Sequence, residues 1–224
     1  MTSVLRTFLF AWQFLTAIPL SRLTHDAKPE ELAASMSWYP LVGCLLGALL
    51  VTADLLLAHV FSTQVTSLLL MFLLIGITRG LHQDGLADMV DGLAGGRTAQ
   101  ARLAIMRDGR VGAIGATGLF LALGLRYAGL NALPAGEHIA LLIGMPVVGR
   151  WAMVMGAFHV TYARSEGGLA QPFLVHLSWR HLCVATVTAG LVLTLLLGPW
   201  TALCCLLIGT ALVRFSTPWS HRMF

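Results

Sequence analysis

Three aspartates of this sequence, Asp84, Asp88 and Asp91, are spaced four and three residues apart. On an α-helix this spacing puts the three carboxylates within about 60° of one another, on one face. No lysine or arginine lies between Arg79 and Arg97 to neutralise them. Because hard oxygen ligands without cysteine suit Mg²⁺, Mn²⁺ or Ca²⁺, the pattern predicts a helix that binds divalent cations.

The segment 79–110 around these aspartates also contains residues that suit phosphate. Mg²⁺ usually takes about one or two protein carboxylates and completes its shell with water and substrate phosphates. A fourth aspartate, Asp108, is a candidate ligand or the partner of one. Glycines let a backbone approach a ligand closely, and arginines clamp phosphates. The candidates for these two roles are Gly85, Gly92, Gly95, Gly96, Arg97, Arg102, Arg107 and Arg110.

The alternative for this segment is a polar loop in solvent. However, the apolar residues Leu86, Ala87, Met89 and Val90 occupy the positions between the aspartates. This register favours a helix end packed in a bundle, with its acidic face toward a cavity.

His82 is a candidate general base for an attacking hydroxyl, because an unperturbed imidazole titrates near neutral pH. The alternative is that it orients a carboxylate through a hydrogen bond. Arg150 and Arg126 interrupt apolar runs, where a charge is costly and therefore a functional candidate, and we expect Arg150 to contact phosphate. Arg164 is a further candidate phosphate contact. The preference of basic residues for the cytoplasmic side explains Arg164 and Arg110 equally well.

These residues belong to a chain in which charge is scarce. Of its 224 residues, 57% are apolar and 11% are charged, against about 25% charged in soluble domains. This composition excludes a soluble globular protein, a disordered chain and a disulfide-stapled secreted domain. The net charge of +4 does not indicate a nucleic-acid partner, since basic residues in so apolar a chain set membrane orientation. We expect the lipid bilayer, and no nucleic acid, as a partner.

Seven apolar runs predict an all-α fold, a polytopic membrane helix bundle with about six to seven spans. In this prediction residues 1–224 form a single membrane domain, whose active-site segment is 79–112. The first, third and last two runs are short for a full span. The runs cover about 4–20, 38–61, 65–80, 111–133, 138–160, 182–197 and 200–213.

The placement of lysine and arginine predicts how the bundle is oriented. The connections 21–37, 81–110, 161–181 and 214–224 contain ten of these basic residues, whereas the connections on the opposite side contain none. Because short cytoplasmic connections are enriched in lysine and arginine, the first set is predicted to face the cytoplasm. The aspartate segment belongs to that set.

Glycines recur at helical spacing inside these runs. Gly43 and Gly47 form a G-x-x-x-G pair, and Gly112, Gly115 and Gly118 repeat at every third position. Small residues of this kind let membrane helices approach closely. We interpret both sets as packing positions, with ligand contact as the alternative for the second set.

The run His82–Gly92, H-Q-D-G-L-A-D-M-V-D-G, resembles the signature H-L-D-G-L-A-D-x-x-D-G of the cobalamin synthase family. The resemblance extends from about residue 8 to residue 174, with further similar segments in the same order. Gln83 replaces the usual leucine, and the family's C-terminal G-G-x-T-G-D segment does not occur. We therefore expect a chain that is short for the family, by truncation, by a change of frame or by divergence. The further segments are F-L-T-A-I-P at 14–19, Y-P-L-V-G at 39–43, I-M-R-D-G-R-V-G at 105–112, G-R at 149–150 and Y-A-R-S-E-G at 162–167.

The resemblance implies an adenosylcobinamide-GDP ribazoletransferase, a multi-pass enzyme of the bacterial cytoplasmic (inner) membrane. In this family, α-ribazole or its 5′-phosphate attacks the diphosphate of adenosylcobinamide-GDP, GMP leaves, and adenosylcobalamin or its phosphate forms. The implied chemistry is Mg²⁺-dependent transfer of a phosphorus-containing group. Together with their spacing, the match assigns Asp84, Asp88 and Asp91 to Mg²⁺.

Two other classes of membrane protein use clustered intramembrane charges. CDP-alcohol phosphotransferases have the pattern D-x-x-D-G-x-x-A-R, but residues 95–96 here are Gly-Gly in place of Ala-Arg. Secondary transporters often consist of two related halves, and residues 111–224 contain no second copy of the aspartate signature. The sequence leaves the oligomeric state open, including a homo-oligomer.

Overall fold

The computed structural model describes residues 3–20, 27–134, 136–158, 160, 162–163, 166–168 and 170–223, with side chains from 4 to 217. Every regular element in these ranges is a helix, which confirms the predicted all-α fold. Residues Met36–Trp38 form a 3₁₀ turn that leads from α2 into α3. The helices are α1 (Ser3–Leu15), α2 (Pro29–Ser35), α3 (Tyr39–Leu57), α4 (Thr63–Ile77), α5 (Leu81–Gly95), α6 (Ala99–Ile105), α7 (Ala113–Asn131), α8 (His138–Ala157), α9 (Gln171–Val175), α10 (Trp179–Leu197) and α11 (Pro199–Met223).

Within the described ranges, five helical segments are long and apolar enough to cross a membrane, and a broken span made of α4 and α5 would be a sixth. The outer faces of the bundle carry large apolar side chains that suit lipid tails: Phe72, Phe120, Leu195, Trp200 and Phe215 are 76–84% exposed. The bundle is therefore a polytopic helical membrane protein. The five segments are Pro29–Leu57, Ala113–Asn131, His138–Ala157, Trp179–Leu197 and Pro199–Thr217.

The helices that contain the last two apolar runs are longer than the runs themselves. Helix α10 has 19 residues and α11 has 25. Both helices continue through polar residues that the apolar runs exclude, including Arg180 at the start of α10 and Arg214 in α11. Each is therefore long enough for a full crossing.

A sharp bend divides the third predicted run from the aspartate helix. Arg79 and Gly80 both have left-handed backbone, with φ of 54° and 65°, and the N–H of Gly80 closes the last turn of α4 on the carbonyl of Ile75 at 2.9 Å. Helix α5 leaves at 88° to α4. The third run is thus a helix that stops at the bend, and α5 starts in a new direction along α7.

Helices α3 and α8 form the centre of the bundle, where Gly43 and Gly47 face α8. A Cβ at Gly43 would lie 2.5 Å from the carbonyl oxygen of Pro146, and one at Gly47 would lie 2.5 Å from the Cα of Ile143. The packing interpretation of the G-x-x-x-G pair is confirmed, because only glycine permits this approach.

Candidate functional site

Helix α5 carries the aspartate signature, and this confirms that the segment is helical, as its spacing predicts. Asp84 is exposed, whereas Asp88 and Asp91 are half-buried. The helix packs against the first half of α7, and its buried residues are Ala87 and Gly92. Successive aspartates therefore lie in different surroundings although they share one face.

Asp91 binds the N-terminus of α7. Its Oδ2 accepts a hydrogen bond from the N–H of Gly112 and its Oδ1 accepts one from the N–H of Gly115, both at 2.7 Å. The first N–H groups of a helix have no partner within the helix and carry partial positive charge. The Asp91 carboxylate satisfies two of these groups and joins α5 to α7.

The glycines of α7 make this approach possible. A Cβ at Gly112 would lie 2.5 Å from Oδ1 of Asp91, and one at Gly115 would lie 2.6 Å from Cγ of Asp91. A Cβ at Gly118 would meet Val90 at 3.1 Å. The packing interpretation of these three glycines is confirmed, and two of them also donate backbone N–H groups to a carboxylate.

Asp84 lines a cavity of about 700 Å³ between α1, the bend after α4, α5 and the start of α7. This confirms for Asp84 the expectation that the acidic face meets a cavity. The side-chain oxygen of Gln83 is buried at the same cavity and has no hydrogen-bond partner in the described part of the chain. Both carboxylate and amide oxygens therefore line this space. Its other lining residues are Gln13, Phe14, Thr16, Thr78, Arg79, Gly80, Leu81, Ala87, Val111 and Leu119.

His82 lies on the other side of α5. Residues two positions apart on an α-helix are rotated by about 200° around the helix axis. The directions of His82 and Asp84 therefore differ by about 160°. It lines a second cavity of about 400 Å³ together with Arg126 of α7 and Arg150 of α8. The structure thus groups His82 with arginines rather than with the Asp84 cavity.

Arg150 is almost completely buried, with 5% of its surface exposed. Its Nε and Nη2 atoms have no hydrogen-bond partner among the described residues. Arg126 is half-buried beside the same cavity. Burying an unpaired charge costs several kcal/mol even after relaxation, so a buried guanidinium of this kind is a candidate binding position.

The candidate phosphate clamps of the segment after α6 already hold carboxylates. Arg107 Nη1 lies 2.8 Å from Glu166 Oε2, and Arg110 Nη2 lies 2.8 Å from Asp108 Oδ2. The Arg110 guanidinium lowers the pKa of the Asp108 carboxyl through hydrogen bonds and charge. All four side chains are exposed, so each pair exchanges readily with solvent or a ligand.

The other sequence-predicted glycines differ in their surroundings. A Cβ at Gly85 would meet no described residue within 4 Å, so this side of α5 is open to the rest of the described chain. Gly92 packs on Met106, Gly95 on Ile105 and Gly96 on Arg102, which brings α6 against the end of α5. The last three glycines therefore serve helix packing, and Gly85 leaves space for a ligand.

The described residues contain no group of three or more histidine, cysteine, aspartate or glutamate side chains close enough to hold a metal ion. Mg²⁺ often takes about one or two protein carboxylates, and Asp84 and Asp88 provide two on one face of α5. Open space beside Gly85 leaves room for water and phosphate ligands. These residues fit a Mg²⁺ ion that is completed by a substrate. The predicted phosphate contact Arg164 lies outside the described residues.

Two features of the site follow from tertiary packing and were not predicted. The first is the pairing of Asp91 with backbone groups 21 and 24 residues later in the chain. The second is the shared cavity of Arg126 and Arg150, which were separate candidates in the sequence. The sequence does contain a signal that both arginines share: each is a charged residue within an apolar run, where a charge is costly.

The chain matches one protein-family model over nearly its whole length. Residues 7–224 match the family described as cobalamin-5-phosphate synthase. The match continues beyond residue 174, where the recognisable motifs end.

Three similar relatives are each called adenosylcobinamide-GDP ribazoletransferase. The one from Syntrophobacter fumaroxidans is 42% identical over 205 residues, which are 91% of this chain and 82% of the relative. The one from Geotalea daltonii is 39% identical over 222 residues, 98% and 87% of the two chains. The one from Chlorobaculum tepidum is 35% identical over 215 residues, 95% and 83% of the two chains. No solved structure matches the chain significantly.

Proposed function

Since the chain belongs to the cobalamin-5-phosphate synthase family, we propose that it joins adenosylcobinamide-GDP to α-ribazole or α-ribazole 5′-phosphate. The products are GMP and adenosylcobalamin or its phosphate. The observation that carries this proposal is the family match over residues 7–224, together with relatives that bear the transferase name. The two cavities beside α5 supply the charged groups that such a reaction needs.

The reaction exchanges one P–O bond for another. A ribose hydroxyl of the acceptor forms a bond to the phosphorus that carries the cobinamide, and the bond from this phosphorus to the bridging oxygen breaks. GMP leaves with the bridging oxygen, and the proton of the hydroxyl passes to a base. Transfers of this kind depend on positioning and on neutralising phosphate oxygens.

Mg²⁺ is the proposed cofactor, and Asp84 and Asp88 are the residues that would hold it. The bound ion would neutralise charge on the diphosphate. Asp91 remains a proposed ligand, since each of its oxygens has a lone pair beyond the N–H bond that it accepts. Asp108 would have to break its ion pair with Arg110 to become a further Mg²⁺ ligand.

The arginines have two different proposed tasks. Arg107 and Arg110 would exchange their carboxylate partners for phosphate oxygens of the substrate. Arg150 needs no such exchange, because its Nε and Nη2 have no partner among the described residues. His82 remains a candidate base, but only for a hydroxyl bound on its own side of α5. Arg164 stays a proposed phosphate contact on the strength of the family motif.

We place the enzyme in the bacterial inner membrane with the aspartate helix near the cytoplasmic face. Arg97, Arg107 and Arg110 are exposed around the end of α5 and the start of α7, as expected of a cytoplasmic surface. Neither a CDP-alcohol phosphotransferase nor a transporter is favoured by any of these observations.

The test is release of GMP from adenosylcobinamide-GDP and α-ribazole by the purified chain in liposomes, with and without Mg²⁺. We expect GMP in amounts equal to the cobalamin formed, and only when Mg²⁺ is present. CMP release from a CDP-alcohol substrate, or solute flux without GMP release, would support the alternative classes instead. A chain extended with a family-like C-terminus provides the comparison for specific activity.

A further inference from the structure

We infer that Arg126 and Arg150 bind a terminal phosphate group in the 400 Å³ cavity beside His82, and that this group is the 5′-phosphate of the acceptor. This inference rests on the proposed function and adds a specificity-determining site to it. The site is distinct from the Asp84 cavity, which would bind the metal and the diphosphate.

The charges around the cavity favour an anionic ligand. In the described part of the chain its lining residues are His82, Arg126, Met145, Gly149, Arg150 and Met153, and none of these six is acidic. Arg150 is buried, with only 5% of its surface exposed, and its Nε and Nη2 have no hydrogen-bond partner in the described part of the chain. Two guanidinium groups at one cavity repel each other in a medium of low dielectric constant. A ligand with up to two negative charges offsets that repulsion, and a phosphate monoester near neutral pH is such a ligand.

The dimensions of the cavity suit a phosphate on a small molecule. Pockets for small ligands have volumes of about 300–1,000 Å³, and this one has about 400 Å³. A Cβ at Gly149 would meet none of the described residues within 4 Å, so they leave space beside Arg150. Met145 and Met153 provide flexible apolar walls that adapt to a sugar or base.

The position of the cavity favours the acceptor over a lipid. Arg150 is about 10 Å along α8 from Ala157 and is covered by protein, whereas lipid head groups contact exposed basic residues at the membrane surface. The first turn of α5 separates this cavity from the Asp84 cavity, with His82 on one side and Asp84 on the other.

The experiment compares α-ribazole 5′-phosphate with α-ribazole as acceptors for the wild-type chain, Arg126→Gln, Arg126→Lys and Arg150→Gln. In both glutamine variants, we expect KM for the phosphorylated acceptor to rise about 10- to 100-fold, the range for hydrogen bonds to a charged group. KM for α-ribazole should change little, and Arg126→Lys should recover part of the loss. Arg180→Gln, an exposed position at the start of α10, is the control.

A second measurement needs no turnover. Equilibrium binding of α-ribazole 5′-phosphate, without adenosylcobinamide-GDP, should weaken in Arg126→Gln by the same factor as KM. Arg126 is half-buried, so this variant keeps the test valid if Arg150→Gln fails to fold.

Equal losses with both acceptors would overturn the inference. A second contrary result concerns lipid: phosphatidylglycerol vesicles, relative to phosphatidylcholine vesicles, stimulate the wild-type chain but not the two glutamine variants. That result would overturn the inference because it would assign the site to a lipid phosphate. If the wild-type chain releases no GMP with either acceptor, the proposed function fails; the binding measurement then still tests the phosphate site by itself.

Discussion

The carboxylate of Asp91 lies 2.7 Å from the backbone N–H of Gly115, across the interface between α5 and α7. The same carboxylate accepts a second hydrogen bond from Gly112. One residue of the aspartate signature therefore contributes to the fold independently of any role with a metal. Substitutions of Asp91 are therefore expected to change stability, whereas substitutions of Asp84 and Asp88 are expected to change catalysis.

Asp91→Asn should lower the thermal stability of the protein. Asparagine has one acceptor oxygen in place of two and no charge, so at least one N–H of α7 loses its partner. We expect a loss of about 1–3 kcal/mol, measured by thermal unfolding in detergent. Glu166→Gln, which removes only an exposed ion pair, is the control and should cost at most about 1 kcal/mol. Equal melting temperatures for Asp91→Asn and the wild type would contradict the structural role of Asp91.

Gly115→Ala should destabilise the packing of α5 on α7. The added Cβ would lie 2.6 Å from Cγ of Asp91 and 2.7 Å from the carbonyl oxygen of Ala87, and overpacking of this kind costs about 1–3 kcal/mol. Gly124→Ala in the same helix is the matched control, because its Cβ would meet no atom of the described residues within 4 Å. That control should be neutral or stabilising by up to about 1 kcal/mol, since alanine favours helix. The measurement is thermal unfolding of both variants, and an equal effect of the two would refute the close contact.

Asp84→Asn and Asp88→Asn should abolish or strongly reduce GMP release while leaving membrane insertion intact. Both remove a carboxylate that we assign to Mg²⁺, whereas the hydrogen bonds from Gly112 and Gly115 to Asp91 stay in place. Residual activity should require more Mg²⁺ for half-saturation than the wild type, which a Mg²⁺ titration of GMP release measures. Asp108→Asn should raise that requirement less, because Asp108 is hydrogen-bonded to Arg110. Near-wild-type turnover of Asp88→Asn would remove it from the metal site.

Glu166→Gln should strengthen substrate binding if Arg107 contacts phosphate. In the structure Glu166 holds Arg107 at 2.8 Å, so its neutralisation frees the guanidinium for the diphosphate. We expect KM for adenosylcobinamide-GDP to fall by up to about fivefold, corresponding to the energy of an exposed ion pair. In the background of Arg107→Gln the same substitution should have no effect, and steady-state kinetics of the double-mutant cycle tests this. An unchanged KM in Glu166→Gln would leave Arg107 as a surface partner of Glu166 only.

The sequence alone was sufficient for the elements whose signals are local. The spacing of Asp84, Asp88 and Asp91 predicts a helix with one acidic face, and the structure has that helix at Leu81–Gly95. The run of residues around these aspartates was also enough to indicate the family. Both signals depend on neighbours within about two helical turns.

Features that depend on long-range packing were beyond the sequence. Hydropathy averages over residues, so it treats 65–80 as one run and misses the left-handed backbone at Arg79. The N–H partners of Asp91 are more than 20 residues away. Likewise, Arg126 and Arg150 meet only because α7 and α8 present them to the same cavity.

The pairing of Asp91 also has a consequence for the order in which contacts of the bundle form during synthesis. Helix α5 contains three aspartates and follows the bend at Arg79 and Gly80 directly. The partners of Asp91 are synthesised later, at the start of α7. The hydrogen bonds that join α5 to α7 therefore form only after the start of α7 has been synthesised.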